Sequence, residues 1–110
     1  MVFLLYIINH LHRAITNLAI LYLEGLGVEQ NSIEAVRLLR LASKKGHVRA
    51  QIKLAELLRI GKGCERDEEE AFRLYKLAAD EGSASALFSV GDLLENGIGC
   101  EENRDLAIEY

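Results

Sequence analysis

Glycine pairs recur at a fixed interval along this 110-residue chain. Gly25 and Gly27, Gly61 and Gly63, and Gly97 and Gly99 each stand 36 residues after the last, in LEGLGV, RIGKGC and ENGIGC. The same register aligns Ala14, Ala50 and Ala86; Leu18, Leu54 and Val90; Ala19, Ala55 and Gly91; and Leu21, Leu57 and Leu93. Later in the unit it aligns Ala35, Ala71 and Ala107, then Leu38 and Leu74, Ala42 and Ala78, and Gly46 and Gly82. A period between 20 and 50 residues is the signature of a repeat array, in which each unit buries its apolar face only against its neighbours. Proline is absent, so glycine is the one strong breaker and regular elements should run between the glycines.

Each unit reads as two helices. Small or apolar residues at 50, 54, 57 and 58 follow the i, i+4, i+7, i+8 spacing of one helical face, which predicts a helix A over about 48–60. Ala71, Leu74, Tyr75 and Ala78 follow i, i+3, i+4, i+7 and predict a helix B over about 68–81. Asp67 stands at the N-cap of B with Glu70 three residues on, the pattern of a reciprocal capping box, and Asn31 with Glu34 repeats it. In the third unit Asn103 keeps the cap but Leu106 cannot return the bond. Gly46 and Gly82 fall where a left-handed residue ends helix B. The small residues at 19, 55 and 91 would let A and B approach closely. The expected fold is all-α, a right-handed α-α superhelix, divided as 1–10, 11–46, 47–82 and 83–110.

The pattern A-x-x-x-L-(A/G)-x-L-(L/Y)-x-x-G-x-G-(V/C)-x-x-(D/N)-x-x-x-A resembles the Sel1-like repeat, a relative of the tetratricopeptide repeat. The likeness runs through Ala14–Gly46, Ala50–Gly82 and Ala86–Tyr110. Glu29, Glu65 and Glu101 stand where that family often has proline, and Leu38 and Leu74 replace a frequent tryptophan. The resemblance implies a protein-binding adaptor with no catalytic motif and no cofactor. It also raises a cysteine-rich branch that pairs cysteines across its two helices, for which a hydrolase activity has been suggested. Cys64 and Cys100 instead both occupy the turn after GxG. Equivalent turns in stacked helix pairs lie roughly 9–10 Å apart, beyond the ~7 Å Cα limit of a disulfide, so two free thiols are expected.

Chemistry at the turn is weak by comparison. GKGC lacks the length and the hydroxyl of a P-loop, and the lysine is missing from GLG and GIG. Glu65, Asp67, Glu68, Glu69 and Glu70 lack calcium-loop spacing and suit the positive end of a helix. His10 and His12 are two apart, on different helix faces, and do not form a metal pair with ligand spacing. The glutamates after Cys100 would raise its pKa rather than activate it.

Composition narrows the partners. A net charge of −4 supplies no basic stripe for nucleic acid. MVFLLYII is too short to span a bilayer and has no cleavage site behind it. Two cysteines make no disulfide framework, which points to a reducing, cytoplasmic setting. Protein or peptide partners remain, on the inner curve formed by the A helices. By register that surface carries Arg13, Arg49 and Ser85; Asn17, Lys53 and Ser89; Ile20, Glu56 and Asp92; and Leu23, Arg59 and Glu95. Its chemistry passes from apolar or neutral through basic and mixed to acidic, which suits a peptide of mixed charge whose acids would meet Arg49, Lys53 and Arg59.

The ends read as uncapped. Val2, Phe3 and Tyr6 fall on Leu38, Leu39 and Ala42, so residues 1–10 are expected to be the tail of a preceding helix B. Asn103–Tyr110 begins a further helix B. A piece of a longer array and a short protein whose raw ends pair with another copy both fit. On the first account the array could equally be a regulatory or anchoring appendage of an enzyme or membrane segment outside this chain.

Overall fold

The computed structural model describes residues 2–25 and 29–96. Five helices follow one another: α1 (Val2–Glu24), α2 (Ser32–Lys44), α3 (Val48–Ile60), α4 (Glu68–Asp80) and α5 (Ala84–Asn96). There is no strand among the described residues. Each helix packs mainly on the next in sequence, as in a solenoid of helix pairs. α4 starts and ends 36 residues after α2, and α5 does so after α3. No helix among the described residues is long and apolar enough to cross a membrane.

The core is one continuous seam of the aligned positions. Ala19, Ala35, Leu39, Ala42, Ala50, Leu54, Ala55, Ala71, Ala78, Ala86, Val90 and Leu93 are almost wholly removed from solvent. Alanines fill it where helices come closest, and the leucines supply most of the apolar area, each worth roughly 1.5–3 kcal/mol when fully buried.

Turn chemistry explains where each helix stops. After α2 the His47 amide donates to the Ala42 carbonyl at 3.2 Å and the Gly46 amide to Ser43 at 3.0 Å. After α4 the Ser83 and Gly82 amides repeat this toward Ala78 and Ala79. Both are Schellman endings, and they need the left-handed φ of +83° and +92° found at Gly46 and Gly82.

The same register accounts for a departure from expectation. Residues 1–10 were assigned to a separate preceding helix; α1 instead runs unbroken from Val2 to Glu24. Position 10, which corresponds to Gly46 and Gly82, is His10. A left-handed turn there would cost an L-residue roughly 1–2 kcal/mol, and with no proline nearby the helix continues through it. Among the described residues no helix B packs ahead of α1, as α2 and α4 do ahead of α3 and α5. The consequence shows in burial: Leu18 and Leu21 are each 38% exposed, whereas their counterparts Leu54 and Leu57 are 1% and 7% exposed. Ala14 is likewise exposed where Ala50 and Ala86 are buried.

The caps are also simpler than a reciprocal box. Asn31 Oδ1 accepts from the Glu34 amide at 3.1 Å, and Asp67 Oδ1 from the Glu70 amide at 3.0 Å. The return bonds are replaced, because the Asn31 and Asp67 amides already donate to the Tyr22 and Leu58 carbonyls of the preceding helix, both at 2.9 Å. This frees the two glutamates for arginines. Glu34 pairs with Arg37 on its own helix, and Glu70 accepts from Arg40 Nη1 of α2 at 2.8 Å, joining successive B helices.

Candidate interaction surface and the clefts at its edge

The turn quoted in RIGKGC is structural. Gly63 has φ +77°, and a Cβ placed on it would stand 2.4 Å from the Ser32 carbonyl oxygen. The turn is thus seated against the first residue of α2, and its glycine is set by that approach as well as by its φ. Cys64 is half-buried and free, its sulfur 3.8 Å from the Leu57 carbonyl and 3.7 Å from that of Lys62. Burial pushes its thiol above the usual pKa. Cys100 and Asn103 lie outside the described residues. No three of His, Cys, Asp and Glu stand together as a metal site among the described residues.

The residues assigned by register to the inner curve are placed as follows. Arg13, Asn17, Arg49, Glu56, Ser85 and Asp92 are exposed, and Ile20, Lys53, Arg59 and Ser89 are half-buried. Leu23 packs on the core margin. One bond crosses units on this surface: Arg49 Nη1 of α3 donates to Asn17 Oδ1 of α1 at 3.1 Å. Lys53 Nζ lies 3.6 Å from Glu56 Oε2, one turn along the same helix. On α5 the Ser89 hydroxyl donates to the Ser85 carbonyl, and Asp92 accepts from Asn96.

Tyr75 was read only as a core residue of helix B. It is indeed buried, at 3% exposure. Its phenol nonetheless feels polar residues of both neighbouring A helices, Arg59 and Glu56 from α3 and Ser89 from α5. Burial and then the Glu56 carboxylate raise the phenol above its usual range, while Arg59 and Ser89 act the other way. Tyr75 and Arg59 also line one cavity at the C-terminal end of α3. The available signal was chemical: a buried tyrosine seeks a partner for its O–H, and polar residues one helix away could supply it.

Two clefts flank α3. At its C-terminal end a cavity of about 310 Å³ lies among Glu56, Arg59, Ile60, Arg66, Glu68 and Tyr75. At its N-terminal end a larger cleft of about 760 Å³ is lined by His12 and Arg13 of α1, Lys45 and His47 of the turn, and Arg49 and Ile52 of α3. The register did not foresee that His12 and His47 would meet here. His12 is only 8% exposed. His47 stands at the N-cap of α3 yet makes no side-chain cap bond, and its Nε2 is buried without a hydrogen-bond partner. Burial, followed by the nearby His12, Arg13 and Arg49, holds its imidazole below the usual pKa.

Stacked helix pairs joined by glycine turns, with a polar face along the first helix of each, define an all-α helical repeat solenoid. The family model described as Sel1 repeat matches residues 12–47, 48–83 and 84–110, and the chain belongs to the Sel1 repeat family. It is similar to a Sel1 repeat protein from Oxalobacter formigenes, with 40% identity and a TM-score of 0.81 over 89% of this chain and 74% of that one. It is also similar to c5321, a protective antigen of uropathogenic Escherichia coli displaying an SLR fold, with 32% identity and a TM-score of 0.87. That match covers 89% of this chain and 21% of the antigen, so the chain spans about a fifth of the larger protein. No curated protein matches the sequence at a significant level. Sel1 repeats serve generally as protein–protein interaction modules.

Proposed function

We propose that this protein is a non-catalytic scaffold that binds a peptide or protein segment of mixed charge across the α1, α3 and α5 faces. The observation that carries the reading is the ordered surface of Arg13, Asn17, Ile20, Arg49, Lys53, Glu56, Arg59, Ser85, Ser89 and Asp92. It passes from largely apolar or neutral residues on α1 through basic and mixed ones on α3 to an acid on α5, and the Arg49 to Asn17 bond bridges two units along it. Rigidly placed arginines on a concave helical surface recognise carboxylates through directed, charge-assisted hydrogen bonds.

Panning a displayed random-peptide library on the intact chain tests the reading. Enriched peptides should carry acids, and should lose binding to an Arg49→Glu, Lys53→Glu double variant whose helical circular dichroism is unchanged. Peptides that bind the double variant undiminished would move the site off this surface.

A further inference from the structure

The cleft at the N-terminal end of α3 carries more positive charge than the fold uses. Arg13, Lys45 and Arg49 come from three successive segments, α1, the α2–α3 turn and α3, and converge on one cavity of about 760 Å³. No aspartate or glutamate lines it. None of the three cations is in an ion pair among the described residues, and the one polar partner of Arg49 is the neutral Asn17. In a chain of net charge −4, a cavity whose ionisable lining residues are all basic is not a reflection of overall composition.

Two further observations bear on what the cavity would take. Two imidazoles also line it: His12 is more than nine-tenths buried, and the His47 Nε2 is shut off from water with no hydrogen-bond partner. The start of α3 is also left uncapped. α2 is capped by Asn31, α4 by Asp67, and α5 by Ser83, whose Oγ accepts from the Ala86 amide at 3.2 Å. His47 occupies the position of Ser83 and provides no such acceptor. The first turn of this 13-residue helix thus lacks a side-chain acceptor from its cap, and its first residues line the same cleft as the cations.

From these features we infer that the cleft formed by His12, Arg13, Lys45, His47 and Arg49 binds an anionic group, a carboxylate or a phosphoryl group, carried by the bound peptide. The inference rests on the peptide-binding reading above, since Arg13 and Arg49 belong both to the cleft and to the α1–α3 surface. A peptide lying along that surface would place its anion in the cleft at the basic end, which fixes its direction relative to Asp92 at the other. The acceptor that α3 lacks would be supplied by the ligand.

The test uses the intact chain, two acetylated peptides (tetraglutamate, and the same length bearing one phosphoserine) and inorganic phosphate. The readout is the imidazole resonances of His12 and His47. Either peptide should shift both imidazoles at submillimolar concentration, the tighter one naming the anion, and an Arg13→Gln, Arg49→Gln variant should weaken binding at least tenfold. A His47→Ser variant, which supplies the missing cap and so should fold well, should also weaken binding. Imidazoles unmoved by either peptide at millimolar concentration would overturn the cleft assignment, while library peptides that still depend on Lys53 would leave the broader surface reading intact. Inorganic phosphate acting as strongly as the peptides would overturn the peptide assignment in favour of a free anion.

Discussion

Gly63 lies so close to Ser32 that an added Cβ would meet the serine carbonyl oxygen at 2.4 Å. The contact ties the turn of the second unit to the start of helix B in the first. Gly63→Ala should therefore combine a left-handed backbone penalty of about 1–2 kcal/mol with overpacking of about 1–3 kcal/mol. Gly46→Ala is the internal control, because Gly46 also has a positive φ but nothing lies within 4 Å of its added Cβ. It should lose only the backbone share, about 1–2 kcal/mol. Urea denaturation of both variants would measure the difference.

Asp67 and Glu70 should separate in a mutant cycle. Asp67→Ala removes a cap and should cost about 1 kcal/mol. Glu70→Ala should lose instead its link to Arg40, a partly exposed pair worth about 0.5 kcal/mol, and that share of its effect should vanish in an Arg40→Ala background. A coupling energy of zero between Glu70 and Arg40 would sink the inter-helix pairing; an effect of Glu70 that does not depend on Arg40 is expected from its pair with Arg73 and its place in the first turn.

His47 sets a pH dependence whose sign is fixed by its depressed folded pKa. In that case the unfolded chain binds the proton more readily. Stability is then fully present above the ordinary histidine value of 6.5 and declines as pH falls below it toward the folded pKa. Thermal melts of wild type between pH 7.5 and 5 should show this decline, and His47→Ser should flatten it. The serine should also add about 0.5–1 kcal/mol at neutral pH by capping α3 as Ser83 caps α5.

Cys64 should be a slow thiol. Burial raises its pKa, so at pH 7 the thiolate fraction falls below that of a free cysteine. Alkylation of the folded chain at pH 7 should be markedly slower than that of a model thiol, and should reach the ordinary rate in denaturant.

The limits of sequence reading here follow from the kind of signal each feature leaves. Helix positions were legible because alanine and leucine recur at fixed spacing, and the breaks because Gly46, Gly61 and Gly82 are local demands of the backbone. The unbroken α1 was missed because aligning Val2, Phe3 and Tyr6 with helix B weighs what is present, whereas the decisive fact was the histidine at position 10 in place of glycine. The Arg40–Glu70 pair, the Tyr75 contacts and the meeting of His12 with His47 join separate helices, and no repeat pattern marks them because the residues concerned differ from unit to unit. The surface residues could be listed by register, but which of them hold one another, as Arg49 does Asn17, depends on side-chain reach across the seam.

His10 gives α1 a meaning beyond its length. In an array punctuated by glycine, the residue at the end of each second helix bears on whether the chain turns back to begin a new pair or carries straight on: Gly46 and Gly82 turn, and His10 does not. A His10→Gly substitution is therefore expected to favour a break in α1 at that point, with no insertion, deletion or change of register.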